Sequence, residues 1–441
     1  MKYVKILFIL PVVFHFAPIQ ARAEDTIAWE DCVKEAKLNH PDLVSAKEKV
    51  NVARAAKEIT RSAVLPQVTG NADESTSNGI GVSASGGSGQ GVTSLQGGSS
   101  SSSAANTRYT YGADIQQLLF DGFKTSYSLS SAQRNIEATR YNYDVISSNI
   151  RLRLRTAYAG LLAAQELVKV TGEIEARRKQ SLSLVQLRYE SGEENKGSVL
   201  TSEADLALAV YGVNQAKRSV YLAQRQLIKE MGKRTFLPYA AMGDLNVKET
   251  SPDRPDFEKL CETTPLLQQL VEQKEAARFG LKSAKAGFFP QIFLTGGESN
   301  SNTNAFPDQN QYSIGTNLTL PIFDGGNTIA TVAQAKATLG QTEADERSGR
   351  DGVIVTLSNT WTQLQNAIDN VGVQAKVLTA AQERAKIAEA EYSIGLVSYN
   401  DWIIIENNLV SAKTSFVNAE LSALIGEANW VQAKGGTLDY D

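Results

Sequence analysis

The feature that most limits the fold of this chain is a duplication. Phe120-Asp121-Gly122 recurs as Phe323-Asp324-Gly325, an offset of 203 residues. The same offset pairs Gly112 with Gly315, Thr125 with Thr328, Leu161 with Leu364, Tyr189 with Tyr392, Gly192 with Gly395, Glu203 with Glu406 and Gly232 with Gly435. A register held without a gap over some 120 residues marks two copies of one unit. Upstream, Pro41 and Pro66 reappear as Pro265 and Pro290 at offset 224. The difference, 224 minus 203, puts 21 extra residues into the first copy between Pro66 and Gly112, where a Gly/Ser-rich stretch near 79–106 reads as a surface loop.

Proline is the next constraint. None lies between Pro66 and Pro238, and none after Pro321, so very long helices are permitted. Leu129, Ala132, Ile136, Tyr143, Ile146, Ile150, Leu154, Ala157, Leu161, Ala164 and Val168 step by threes and fours, a mean of about 3.5 that is close to the coiled-coil period. The pattern predicts a helix over Lys124–Glu190, about 100 Å long at 1.5 Å per residue. It then predicts a reversal at Gly192 and a return helix from about Gly197 to Met231, with an earlier helix over Pro41–Leu65. The second copy predicts helices over 265–288, 326–394 and 399–434.

Between the helices, Tyr312, Ile314, Thr316, Leu318, Leu320 and Ile322 alternate with small or polar residues, as do Tyr109, Tyr111, Ala113 and Ile115. Each run is long enough for a tilted membrane strand. With partners starting at Gln67 and Gln291, the chain offers four strands. Four strands cannot close a barrel, since the smallest bacterial barrels have eight. As membrane strands they must therefore be shared among several chains; the alternative is that they are ordinary periplasmic hairpins.

Residues 1–23 read as a signal peptide: Lys2 and Lys5, a short apolar run, then Ala21-Arg22-Ala23. Its removal takes away three basic residues and no acid, leaving a net charge of -4 - 3 = -7 and one histidine, His40. That charge argues against a nucleic-acid surface. One histidine and two cysteines leave little room for His-based catalysis or a His-ligated metal and rule out a Cys-rich zinc or iron–sulfur site, so no catalytic, metal or cofactor-binding residue is singled out. Cys32 and Cys261 occupy non-equivalent positions and are expected to be two separately buried thiols. No later stretch reaches 18 apolar residues, so no transmembrane helix is expected.

Taken together, these residues resemble the TolC-like outer-membrane efflux protein family. The resemblance rests on the duplication and on Leu-Leu-Phe-Asp-Gly and Leu-Pro-Ile-Phe-Asp-Gly-Gly ahead of the long helices. It rests also on Arg188-Tyr189-Glu190-Ser191-Gly192 and Tyr392-Ser393-Ile394-Gly395-Leu396 at the reversals. It implies a mainly α fold with a small membrane β-barrel portion, in which long coiled helical hairpins come from two tandem repeats. The repeats, 24–240 and 241–441, would form one intertwined unit, and the Gly/Ser loop would be extracellular. Four strands from each chain of a homotrimer would make a shared 12-stranded barrel in outer-membrane lipid. The implied function is the exit duct of a tripartite efflux or type I secretion system, with no enzymatic role. A periplasmic adaptor protein and an inner-membrane pump or ABC transporter would be its partners. The alternative is a trimeric coiled-coil adhesin or structural protein of the outer membrane.

The resemblance also assigns residues. Tyr392, Asp401, Glu406 and Tyr189 would belong to a periplasmic aperture, with three copies of Asp401 forming an anionic ring; the residues alone allow Asp401 to be a helix cap instead. The family's latch arginine is Val397 here, which puts a salt-bridge latch in doubt. Gly192, Glu193, Glu194, Gly395, Leu396 and Val397 would form the helical tips that touch the adaptor, the first of them through charge. Asp121, Gly122, Asp324 and Gly325 sit where a strand becomes a helix, and a cap and a permissive backbone suffice to explain them.

Overall fold

The computed structural model describes residues 25–77, 106–247, 253–303 and 310–440. The signal peptide and all of the Gly/Ser loop except Asn106 lie outside the described residues. In chain order the elements are β1 (Asp25–Ile27), α1 (Trp29–Asn39), α2 (Pro41–Ser62), β2 (Gln67–Ser77), β3 (Asn106–Phe120), α3 (Lys124–Glu190) and α4 (Lys196–Glu230). They continue as β4 (Tyr239–Ala241), α5 (Phe257–Glu262), α6 (Pro265–Ala286), β5 (Gln291–Asn302), β6 (Asn310–Thr319), α7 (Asn327–Ser393) and α8 (Tyr399–Ala433). The long helices α3 and α7 each have 67 residues and the return helices α4 and α8 each have 35. The duplication thus carries through to element length, and α3 keeps the bounds its apolar period predicts.

The chain divides into two units that cut across the repeats. One holds Met1–His40, Arg153–Glu249 and Asn366–Ala428; the other holds Pro41–Leu152, Thr250–Gln365 and Asn429–Asp441.

The second of these contains a four-stranded antiparallel sheet in the order β2-β3-β5-β6. Two hairpins, one per repeat, join where β3 pairs with β5. Directly paired residues share a face of a sheet. One face therefore collects Val68, Tyr109, Tyr111, Ile115, Leu294, Tyr312, Ile314 and Leu318. Its two acids, Glu74 and Glu298, pair with Tyr109 and Tyr312. The other face carries Thr69, Asn71, Asp73, Arg108, Asp114, Gln116, Thr295, Ser299, Ser313 and Asn317. Apolar residues with tyrosines on one side and polar residues on the other are the pattern of a lipid-facing wall with a wet interior.

The step from strand to long helix is built alike in both repeats. Asp121 Oδ2 accepts from Thr125 N at 2.7 Å and Asp324 Oδ2 from Thr328 N at 2.8 Å, each tying down a free N–H of the first turn. Gly122 (φ 66°) and Gly325 (φ 67°) are left-handed, and a Cβ on Gly122 would strike Phe289. Phe123 is left-handed too (φ 66°), at the position that Gly326 fills in the second repeat. Beside it the Phe120 and Phe123 rings meet edge-on at 5.7 Å. Elsewhere in this unit Phe257 on α5 packs edge-on to Trp361 and Trp430, beside the buried Cys261.

The first unit holds a small parallel sheet, β1 with β4. The Tyr158 hydroxyl of α3 donates to Met242 O, just past β4, at 2.5 Å and lies 3.3 Å from Ile27 O at the end of β1. Trp29 meets the Tyr158 ring edge-on at 5.8 Å. Beneath them Cys32 is buried, and desolvation pushes its thiol up to about 12. Both cysteines are free. The four short elements β1, α1, β4 and α5 were not expected from the sequence, because three to eleven residues are too few to show a period. Among the described residues, no helix is long and apolar enough to cross a membrane.

Candidate functional site

The candidate site lies in the first unit, where both helical hairpins turn. Each turn closes with the hydrogen bonds of a left-handed glycine cap. Glu193 N bonds Arg188 O at 2.8 Å and Leu396 N bonds Glu391 O at 2.9 Å, around Gly192 (φ 81°) and Gly395 (φ 79°). The repeat equivalence ends there, because the two hairpins place their matching residues differently.

Tyr392 is buried, 1% exposed, within a cluster of Val185, Ala388, Tyr399 and Trp402. Its ring stacks on Trp402 at 4.3 Å and 14° between planes, while Tyr399 meets both rings edge-on. Its repeat partner Tyr189 is 44% exposed and stands outside the cluster. Likewise Glu406 is buried, while Glu203 is exposed.

Polar groups then bind one hairpin to the other. The Tyr392 hydroxyl donates to Glu194 Oε2 at 3.0 Å. Glu194 Oε1 accepts from Asn195 N and from the Ser198 hydroxyl. From α3, Arg188 Nη1 donates to Tyr392 O at 2.6 Å, at the end of α7. Its guanidinium lies 4.9 Å from the Tyr392 ring centroid. A cation at a helix C-terminus opposes the exposed carbonyls. Thus a guanidinium does reach Tyr392, but from the first hairpin and not from position 397. Val397 instead packs against the aromatic cluster.

One step further along the helices, Arg177 grips Glu406 with two hydrogen bonds, Nε at 2.6 Å and Nη2 at 2.7 Å, and reaches Glu389 at 3.2 Å. Arg178 bonds Asn407 and lies 3.9 Å from Asp205. The Tyr399 hydroxyl and Ser202 are 3.0 Å apart.

These contacts shift the ionisations. Burial, then the Glu194 hydrogen bond, holds the Tyr392 phenol far above its usual range. Burial pushes the Glu194 carboxyl up, but hydrogen bonds from Asn195, Ser198 and Tyr392 and the charge of Arg188 outweigh it. Its net position is below the usual carboxylate range. The hydrogen bond to Glu406 raises Arg177 still higher.

Each sequence-assigned residue thus has a place. Glu194 is turned inward onto Tyr392, whereas Glu193 is exposed and lies 3.6 Å from Arg188. Leu396 is 73% exposed. Asp401 is exposed, and its carboxylate accepts from the hydroxyl of Ser398, which precedes α8, at 2.7 Å. The same Ser398 oxygen accepts Asp401 N, a capping arrangement. The sequence alone assigns no role here to Arg177, Arg188, Glu389, Tyr399 or Trp402. An i, i+3 aromatic pair at the start of a return helix, Tyr399 and Trp402, was the available signal for the cluster.

A family model described as Outer membrane efflux protein matches residues 32–233 and 258–436. The chain is 25% identical to Outer membrane efflux protein BepC of Brucella suis over 421 residues, covering 94% of this chain and 86% of that one. It is 25% identical to Outer membrane protein TolC of Salmonella enteritidis over 427 residues, covering 92% and 82%. The crystal structure of CusC superposes with a TM-score of 0.80 at 19% identity over 92% of both chains.

Proposed function

The chain belongs to the outer membrane efflux protein family and is an outer-membrane efflux channel, and on that premise we propose how it closes and what it joins. It works as a homotrimeric exit duct between the periplasm and the exterior. A periplasmic adaptor and an inner-membrane pump supply its cargo. The adhesin alternative is set aside, since the strands lie inside both repeats and the family match spans both.

The observation that carries the closing mechanism is the bridge from Glu194 through the Tyr392 hydroxyl, backed by Arg188 on the Tyr392 carbonyl. In the closed state this bridge holds the second hairpin to the first. Opening separates Tyr392 from Glu194 and lets α7 and α8 swing away at the tip. Exposed Leu396 and Glu193, with the glycine turns at 192 and 395, form the surface that an adaptor engages. Asp401, exposed near the start of α8, supplies one acid from each chain to the aperture. Three such acids favour cations over anions.

Planar-bilayer recording of the purified mature protein tests this. Wild type is expected to insert as a trimer with a small, mostly closed conductance. Tyr392→Phe removes a hydrogen bond to a charged acceptor, which contributes about 1.5 kcal/mol when the acceptor is partly solvated. The open fraction should rise about tenfold. A soluble, non-conducting monomer, or a Tyr392→Phe channel indistinguishable from wild type, would sink the proposal.

Acid should act on the same bridge. A depressed carboxyl contributes stability that is complete above its ordinary pKa of 4.5 and is lost as pH falls through the lower folded value. Wild-type conductance is therefore expected to be flat from pH 7 to 5 and to rise below about pH 4.5. Glu194→Gln should already be raised at pH 7 and lose that step. A step of equal size in Glu194→Gln would assign it to another group.

A further inference from the structure

We propose that the barrel wall carries a charge filter of its own, a ring of Asp114 carboxylates that makes the channel prefer cationic to anionic solutes. The inference rests on the reading of the chain as a trimeric outer-membrane channel, and it concerns residues far in sequence from the aperture.

The register of the sheet puts five charged residues in the four strands: Asp73, Glu74, Arg108, Asp114 and Glu298. Glu74 and Glu298 share the tyrosine-bearing apolar face, so the wet face keeps Asp73, Arg108 and Asp114. Asp73 pairs with Thr110, two residues along β3 from Arg108. Arg108 Nη2 donates to Ser301 at 2.7 Å. Those two opposite charges sit on neighbouring strands and largely cancel. Asp114 lies four residues from Thr110, about 13 Å further toward α3 at about 3.3 Å per residue. The residues paired with it are Thr69 and Gly297. No basic residue stands on the wet face of β2, β5 or β6.

The wall also makes room for this side chain. A Cβ on Gly297 would lie 2.7 Å from Asp114 Oδ1 and 3.4 Å from Ser313 Oγ. The carboxylate therefore rests over a bare glycine, laid against the wall where it adds charge without blocking the lumen. Asn71 lies over Gly112 in the same manner, at 2.7 Å from a Cβ placed there. It is the neutral counterpart one strand away.

Three chains repeat Asp114 three times around the axis. Twelve strands about 4.8 Å apart and tilted about 40° close at a radius of about 12 Å. Side chains pointing inward bring the carboxylates to about 8 Å from the axis by that geometry. The screening length is about 10 Å at 0.1 M salt and about 3 Å at 1 M. Three charges at that distance raise the local ratio of monovalent cation to anion about tenfold at 0.1 M, and less than twofold at 1 M.

Reversal potentials across a potassium chloride gradient test the ring, with the full mature protein in planar bilayers. At about 0.1 M mean salt, wild type should favour potassium over chloride, and Asp114→Asn should lower that preference several-fold. Asp114→Lys should lower it further or invert it. Glu298→Gln, on the opposite face, should match wild type, and all four should converge near 1 M. Asp114→Asn keeps the shape of the side chain, so it carries the test if Asp114→Lys fails to assemble. Conducting trimers whose selectivity ignores Asp114→Asn overturn the inference alone. Absence of conductance from every protein, wild type included, overturns the channel reading and the inference with it.

Discussion

Arg177→Met is expected to open the tip more than any other single change. Glu406 is 1% exposed and receives two charge-assisted hydrogen bonds from Arg177. Removing the arginine leaves a buried carboxylate with its charge uncompensated, which costs about 3–5 kcal/mol. The lower end applies, because Arg177 is itself 32% exposed and water enters the vacated space. Hydrogen exchange of the amides around 385–410 should then quicken about a hundredfold, with bilayer conductance rising alongside. Replacing both partners by apolar residues, Arg177→Met with Glu406→Leu, should restore most of the protection, since a well-packed apolar pair is often as stable as a buried ion pair. If the double variant were as labile as Arg177→Met, volume and not charge would be what Arg177 supplies.

Trp402→Ala should be nearly as severe by a different route. The indole lies flat on Tyr392 at 4.3 Å and is 1% exposed, and truncating such a residue costs about 3–5 kcal/mol. The void also frees Tyr392, so the bridge to Glu194 should weaken together with the packing. Trp402→Phe sharpens the prediction. The Trp402 Nε1 donor is buried without a hydrogen-bond partner in the protomer, a defect of about 1–3 kcal/mol that phenylalanine does not carry. Thermal melts should place Trp402→Phe close to wild type and Trp402→Ala well below both. A loss in Trp402→Phe as large as that in Trp402→Ala would count against an unsatisfied indole donor.

The sequence disclosed most where physics repeats itself over long stretches. Sixty-seven residues without proline, with apolar positions every three to four, leave α3 few alternatives. The alternation in β6 likewise survives as a lipid-type face, with Ile314 85% exposed. Matching by offset served less well at the tip. Tyr189 and Tyr392 are equivalent in the duplication, yet one is exposed and the other buried. The two hairpins pack unlike each other at the tip, and a linear offset carries no information on which tyrosine is buried. Charge places Glu194 with Glu193 in the tip that meets the adaptor, because nothing local in the sequence shows that Tyr392, 198 residues away, supplies its hydrogen bond.

The three-residue strand β1 bears on how the chain comes to be assembled. Its partner β4 lies more than 200 residues later, Asp25 against Tyr239. The Tyr158 whose hydroxyl reaches Met242 O and Ile27 O sits between them in the chain. A chain emerging from its N-terminus must therefore keep Asp25–Ile27 as an unpaired edge until nearly all of the first repeat has followed. Contacts of such separation are slow to form, and open edges invite wrong partners. A clasp so short limits that exposure. Three residues offer too few backbone groups to capture a neighbouring chain, yet together with Tyr158 they are enough to close the first repeat once β4 arrives.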